Sequence, residues 1–434
     1  MAMVTAMAME VAWTRSLNAS MSDAAQTNLT ASPGSTFWRV AVGVASLVVA
    51  CAAFANSVAH ITREGNPQAA LSFWPNDAEA LARSADIYLP KLTTGRDANA
   101  QIKRLATQSL RAQAVNPRAL RLLGFVADAN GAQPAARALV TLAAQSSRRD
   151  FGAQLWLIEN AVRGGSIADT LRHYDIAIRA TAESAATLYP ILTEALEDPE
   201  IQRGFSAYVK TPPPWLGSFL AFAISQSKVP RTIATLIIGA GGLPKGPAYH
   251  DLDAAMIARL AAVGDYPMVK SYYLSLPGVD PNLLTSTALE KISVDPDKAP
   301  LTWQIVNSPA LDAGFETNDN DQSLNLHAIV NSGETGVVMR KVFYLTHGNY
   351  RFAADQQLSN RDGSAQIKWD LKCVRGTDAT SVWISDSGIT KARTPSMFAI
   401  PENCPTQLLE LTVRGGTAQQ GTDLVVNNIR IDRQ

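Results

Sequence analysis

The run Val40–Ala55 reads VAVGVASLVVACAAFA and carries no charged side chain. Phe37 and Trp38 precede it, Arg39 marks its edge, and the mild residues Asn56–Ala59 extend it. It then reaches about 20 residues, enough to cross the hydrocarbon core of a bilayer as a helix. The expectation is a transmembrane helix over 37–60, preceded by a disordered tail over 1–36. Trp38 suits the headgroup belt. Two other fates fit the same residues. Ala53-Phe54-Ala55 is a small-x-small pattern that a signal peptidase cuts, and Val48-Val49-Ala50-Cys51 has the form of a bacterial lipidation signal. The long segment ahead of the run speaks against both. The Met-rich start (Met1, Met3, Met7, Met9, Met21) leaves the first codon open, and a start at Met21 would give an ordinary signal peptide. In a retained span, Cys51 is simply a small apolar residue. Arg15 and Arg39 before the run and Arg63 and Arg83 after it leave the orientation undecided.

With 434 residues the chain is longer than one domain usually is. Hydrophobic residues make up 47% and charged ones 18%, which is enough to build cores and excludes wholesale disorder. The 38 basic and 38 acidic residues cancel, and no basic run stands out. That argues against a nucleic-acid partner, whose backbone demands a cationic surface. The three cysteines and five histidines (His60, His173, His250, His327, His347) form no zinc-spaced cluster. No metal or other cofactor is expected.

From residue 70 to 300 the chain is Ala- and Leu-rich with helical spacing. Asp77–Leu89 and Asn99–Ala114 read as helices stopped by Pro90 and by Asn116-Pro117. In the next stretch, Leu120, Leu123, Gly124 and Ala127 share one helical face, and Ala136, Val140 and Ala143 share a face of the helix that follows. This resembles a tetratricopeptide repeat, with Leu123-Gly124 as its Leu-Gly pair, Ala136 as its small residue and Val140 in the usual aromatic place. Leu120 and Arg148 depart from the pattern, where Trp and Pro are common. Gln154–Val162 and Ala168–Ala180 repeat the logic, and the period fades after Pro212-Pro213-Pro214, so an irregular helical solenoid is expected. His173 reads as an ordinary helix residue. Gly239-Ala240-Gly241-Gly242 lacks the Gly-Lys-Ser/Thr of a phosphate loop and reads as a connection.

Near Pro300 short alternating runs take over, punctuated by Gly, Asn and Asp. In Gln366–Val374, Ile367, Trp369, Leu371 and Cys373 fall on one face, with Gln366, Lys368, Asp370 and Lys372 on the other. Seven or eight such strands predict an antiparallel β-sandwich, a jelly roll, over 301–434. Cys373 and Cys404 are placed to form a disulfide closing a loop of about 30 residues, worth roughly 3–4 kcal/mol. Such a bond requires an oxidising compartment. The strand pattern, with Leu424–Asp432 at its close, is similar to galactose-binding-type and other carbohydrate-binding jelly rolls. Trp369 is expected in the core. Trp383, between Val382 and Ile384, is expected to point the other way and is the candidate glycan-contacting aromatic.

No nucleophile elbow, HExxH, kinase or dinucleotide signature is present. Asp355, Asp362, Asp370 and Asp386 read as solvated turn and strand residues, so no enzyme is expected. The ensemble resembles bacterial envelope proteins associated with exopolysaccharide or capsule assembly, on Ala119–Asp150, Ala153–Glu159 and Trp369–Cys373. The resemblance implies an inner-membrane protein with its body in the periplasm. The first functional expectation is a scaffold whose helices dock a protein partner. The alternative is a glycan-binding protein, with the β region as ligand domain for envelope polysaccharide and the helices as a stalk.

Overall fold

The computed structural model describes residues 33–92, 95–317, 324–359, 363–385, 391–392, 396–417 and 421–434. The expected tail up to position 32, Asp362 and Asp386 lie outside the described residues. The chain divides into two compact units between Leu139 and Val140.

In the first unit, α1 (Pro33–Thr62) contains a stretch, Phe37–Thr62, long and apolar enough to cross a membrane. Then come α2 (Pro67–Phe73), α3 (Ala78–Asp86), α4 (Arg96–Ala112) and α5 (Pro117–Ala129). The starts are chemically marked. Asn66, Asp77 and Asn116 each accept a hydrogen bond from the backbone N–H three residues on, and Pro67 and Pro117 occupy the first helical turn, where no N–H is needed. Leu81, Ala85, Ile102, Ala106, Leu122 and Val126 form the core of α3–α5. Arg118 bridges Glu79 and Asp86, and Arg121 reaches Asp86 at 3.0 Å, fixing α5 against α3 at its polar edge.

Helix α6 (Gln133–Ser146) carries the division. Of the repeat-signature residues, Gly124, Ala136, Val140 and Ala143 are buried, and Leu123 and Ala127 partly so. The second unit continues with α7 (Phe151–Arg163), α8 (Ile167–Ala180), α9 (Ala182–Ala195), α10 (Pro199–Lys210), α11 (Leu216–Gln226), α12 (Pro230–Ala240), α13 (Leu252–Ala262) and α14 (Tyr266–Ser275). The starts of α5 and α6, Pro117 and Gln133, recur in α7 and α8 as Phe151 and Ile167. Later starts drift from that spacing. Helices α7 and α8 form a closely packed hairpin, and beyond them neighbours (α8 with α9, α13 with α14) and alternate helices (α10 with α12, α11 with α13) both pack together. Its centre is aromatic: Phe205 lies 5.4 Å from Phe219 and 6.2 Å from Trp215, and Trp215 meets Phe219 edge-on at 5.9 Å.

The strands form two antiparallel sheets. The first has the order β1 (Gln304–Ile305), β4 (Thr335–Phe343), β10 (Gln407–Arg414), β6 (Gln366–Arg375), β7 (Asp378–Ile384). The second runs β2 (Leu311–Thr317), β3 (Leu324–Val330), β11 (Thr422–Arg433), β5 (Gly348–Leu358), β8 (Lys391–Ala392), with β9 (Ser396–Ile400) also on β5. The arrangement is open rather than a closed barrel. One core joins both: Leu326, Phe352, Leu424 and Val426 from the second sheet meet Phe343, Trp369, Leu371 and Leu411 from the first. Trp369 is almost wholly buried, and its Nε1 donates to Gln356 Oε1 at 2.8 Å. Cys373 and Cys404 are joined by a disulfide, with Cα atoms 5.4 Å apart.

Where β4 and β10 lie, the first sheet is covered on its outer face as well. Val342 and Tyr344 leave the strand core and join the helical one. The Tyr344 hydroxyl donates to the Tyr266 carbonyl at 2.8 Å, and the Tyr344 N–H to the Leu284 carbonyl at 3.0 Å. The α13–α14 turn presses on the β6–β7 turn so closely that a Cβ on Gly264 would fall 2.1 Å from the Gly376 carbonyl carbon. Both glycines hold positive φ, +75° and +59°. Helices and strands of this unit therefore share one body.

Candidate functional site

The second sheet leaves its outer face open. On β5, Phe352, Ala354 and Leu358 point inward, which sends Arg351, Ala353, Asp355 and Gln357 outward. On β11 the alternation is interrupted by a bulge at Asn427, the extra residue between Val426 and Asn428. The bulge resets the register so that Asn428 faces Asp355, Arg430 faces Ala353 and Asp432 faces Arg351. Six polar or small outward positions thus converge on one patch of two neighbouring strands.

They line a cleft of about 320 Å³ walled by Arg351, Asp355, Asn428, Arg430 and Asp432, with Ala353 as its floor. This volume is at the lower end of the range for small-ligand sites, about 300–1,000 Å³. Arg351 Nη2 stands 3.5 Å from Asp432 Oδ2, closing one end. Among the described residues Arg430 forms no ion pair, and its guanidinium is exposed. Along the same face, His327 Nδ1 approaches Glu316 Oε1 at 3.3 Å, and Ser359 both donates to and accepts from Asp423. The walls present planar, multidentate donors and acceptors (guanidinium, carboxylate, amide) over an alanine floor that lets a ligand approach the backbone. No aromatic ring lines the cleft. Among the described residues no cluster of three or more His, Cys, Asp or Glu side chains is arranged to hold a metal ion.

Trp383 lies elsewhere. A bulge between Leu371 and Lys372 on the β6–β7 ladder leaves Val382 unpaired and sets Trp383 opposite Leu371. The ring therefore turns toward the face of Leu371 instead of away from it, as simple alternation predicts. It is half-buried, 5.0 Å from Phe352 and 5.2 Å from Phe398, and its Nε1 donates to Ser396 Oγ at 3.2 Å. Asp355 joins the cleft. Asp370 is buried on the other sheet, accepting from Ser381 at 2.7 Å. His173 is hydrogen-bonded to Gln154 at 2.9 Å, and burial pushes its pKa down. Asn428, Arg430 and Asp432 escaped the sequence reading. Alternation along Leu424–Ile431 was visible, but the bulge that aligns these residues with β5 was not.

A second depression lies on the helical array, lined by Pro190, Ile191, Glu194, Phe222 and Lys228 among others, and is about 370 Å³. It mixes apolar and charged groups without a converging polar set.

No protein-family model matches the chain, and no curated protein matches it in sequence. Solved structures similar to it include TmCBM61 in complex with beta-1,4-galactotriose, at 12% identity over 34% of this chain and 100% of that one, TM-score 0.23. Another is the enzymatically active domain of bacteriophage CBA120 tailspike protein 4, at 11% identity over 30% of this chain and 19% of that one, TM-score 0.20. Likenesses this distant leave the site to be read from its own geometry.

Proposed function

We propose that this is a membrane-anchored glycan-binding protein that binds rather than cleaves its ligand, with the cleft on β5 and β11 as the ligand site. The observation that carries the reading is the convergence of Arg351, Asp355, Asn428 and Arg430 over the Ala353 floor. A sugar offers adjacent hydroxyls at the spacing of a carboxylate or guanidinium fork, and polar planar side chains bind such pairs two bonds at a time. Because the walls are polar and carry no aromatic ring, recognition rests on hydrogen bonds and not on ring stacking. The two sheets then act as a carbohydrate-binding jelly roll, and the helices, tetratricopeptide-like in their spacing, as its support. Placement at a bacterial inner membrane with the body in the periplasm is part of the proposal. The apolar α1 and the Cys373–Cys404 disulfide support it, since disulfides persist in oxidising compartments. The reading of the helices as a scaffold for a protein partner rests on the sequence alone.

The test is to titrate the full chain in detergent, oxidised, with a panel of neutral and acidic envelope oligosaccharides by calorimetry. Saturable binding weakened at least about tenfold in Arg430→Ala supports the reading, a loss of about 1.4 kcal/mol. Absence of binding across the panel, or binding indifferent to Arg430→Ala and Asp355→Ala, refutes it.

A further inference from the structure

Helix α1 is longer than a bilayer requires. Its apolar stretch Phe37–Thr62 has 26 residues, about 39 Å at 1.5 Å per residue. The hydrocarbon core is about 30 Å thick. If Phe37 and Trp38 mark one boundary, the last turns of α1 emerge into the opposite headgroup layer. Those turns are where the rest of the first unit attaches. Ala59 is wholly buried against Ala70 of α2 and Ala80 of α3, with no linker beyond the turn Arg63–Asn66, where Asn66 caps α2. The small side chains let the three helices approach closely at the very depth where the bilayer ends.

At this junction large apolar side chains stand exposed among polar ones such as Glu64 and Gln68. Ile61 is 79% exposed, Phe73 46% and Trp74 36%, and Pro75 is exposed beside them. Helix α2 has seven residues, so its far end lies within about 10 Å of the turn that joins it to α1. Exposed aromatics that close to an apolar helix end have the headgroup layer as their environment, where amphipathic rings are most stable. Two charged pairs lie at the junction: Arg63 with Asp77 at 3.8 Å, and Arg83 with Glu64 at 3.4 Å.

We propose that Phe73 and Trp74, with Ile61, form a second interfacial anchor that inserts into the headgroup layer of a lipid bilayer, opposite in depth to Phe37 and Trp38. The inference rests on the reading of Phe37–Thr62 as a span. It adds that the first unit is seated directly on the membrane and does not float on a tether. The occupant is lipid because Phe73 ends a seven-residue helix that is joined to the apolar helix by one short turn and packed on it through Ala59 and Ala70.

The experiment uses the full chain in vesicles of phosphatidylcholine and phosphatidylglycerol. Cys51→Ala removes the free thiol, and an environment-sensitive fluorophore is attached at Ser72→Cys, beside the aromatics, or at Val48→Cys in mid-span. Lipids brominated near the glycerol or near the chain ends then serve as quenchers. The expected result is quenching at position 72 about twofold stronger from shallow than from deep bromines, and the reverse order at position 48. Adding Phe73→Ser and Trp74→Ser should abolish the shallow quenching at 72 and leave 48 unchanged. Quenching at 48 with none at 72 overturns the anchor while the span stands. No quenching at either position overturns the span and the anchor with it. Quenching at 72 that survives loss of both aromatics overturns their role.

Discussion

Lys341 donates from Nζ to the backbone carbonyl of Ser286 at 2.6 Å while wholly shielded from solvent. The ammonium sits 5.0 Å from the Phe343 ring and 6.0 Å from that of Trp303, and among the described residues no carboxylate pairs with it. Burial lowers its pKa from 10.5 to about 7. Between those two values the unfolded chain holds the proton and the folded chain does not, so stability rises with pH across that window and is flat, at its lower level, below it. The full window corresponds to a few kcal/mol, on the order of 1.4 per unit. Denaturant melts from pH 6 to 10 should show the rise, and Lys341→Met should flatten it and raise stability at pH 6.

Gly264→Ala should be far more damaging than its size suggests. The new methyl would meet the Gly376 backbone and also sit at positive φ. Neither can be relieved by a rotamer change, so a loss of at least about 2–3 kcal/mol is expected. Gly278→Ala, also at positive φ but with open space around it, serves as the comparison and should cost about 1 kcal/mol. Equal losses in thermal melts would refute a packing role for the abutting turns.

Removing the disulfide through Cys373→Ser with Cys404→Ser opens a link across a sequence separation of 31. The expected cost is about 3–4 kcal/mol in the chain-entropy picture. A reductant should lower the melting temperature of the parent and leave that of the double variant unchanged.

In the cleft, Arg430→Ala should alter stability by no more than about 0.5 kcal/mol, because its side chain is exposed and, among the described residues, forms no ion pair. Binding should fall while the melting curve stays in place. A joint loss of both would mark the cleft residues as structural.

The helices were legible because their ends carry chemistry. Asn116-Pro117, Asp150 and Ser166 each announce a start by the bond they offer the first turn. Helix α10 was harder: only Phe205 and Val209 of its residues are buried, too few to give a period, although Asp198-Pro199 marks its start. Strands β2 and β3 do carry the alternation, Leu311, Ala313 and Phe315 against Asp312, Gly314 and Glu316, and Leu326, Ala328 and Val330 against Asn325 and His327, but each run is only seven residues long. The orientation of Trp383 and the cleft itself depend on bulges at Val382 and Asn427. A bulge marks its own strand only as a one-residue slip of the alternation, as from Val426 to Ile429 in β11, and which partner residues that slip brings together is set by the neighbouring strand.

The helix-covered part of the first sheet has a consequence for how such a chain can be inherited. Val342, Tyr344 and Leu408 face helices, not water, so a gene fragment encoding only the strands would yield a protein with a raw apolar flank. Recombination that moved this strand region into a new context would have to carry its helical partners along. The heritable cassette is larger than the strands that line the cleft.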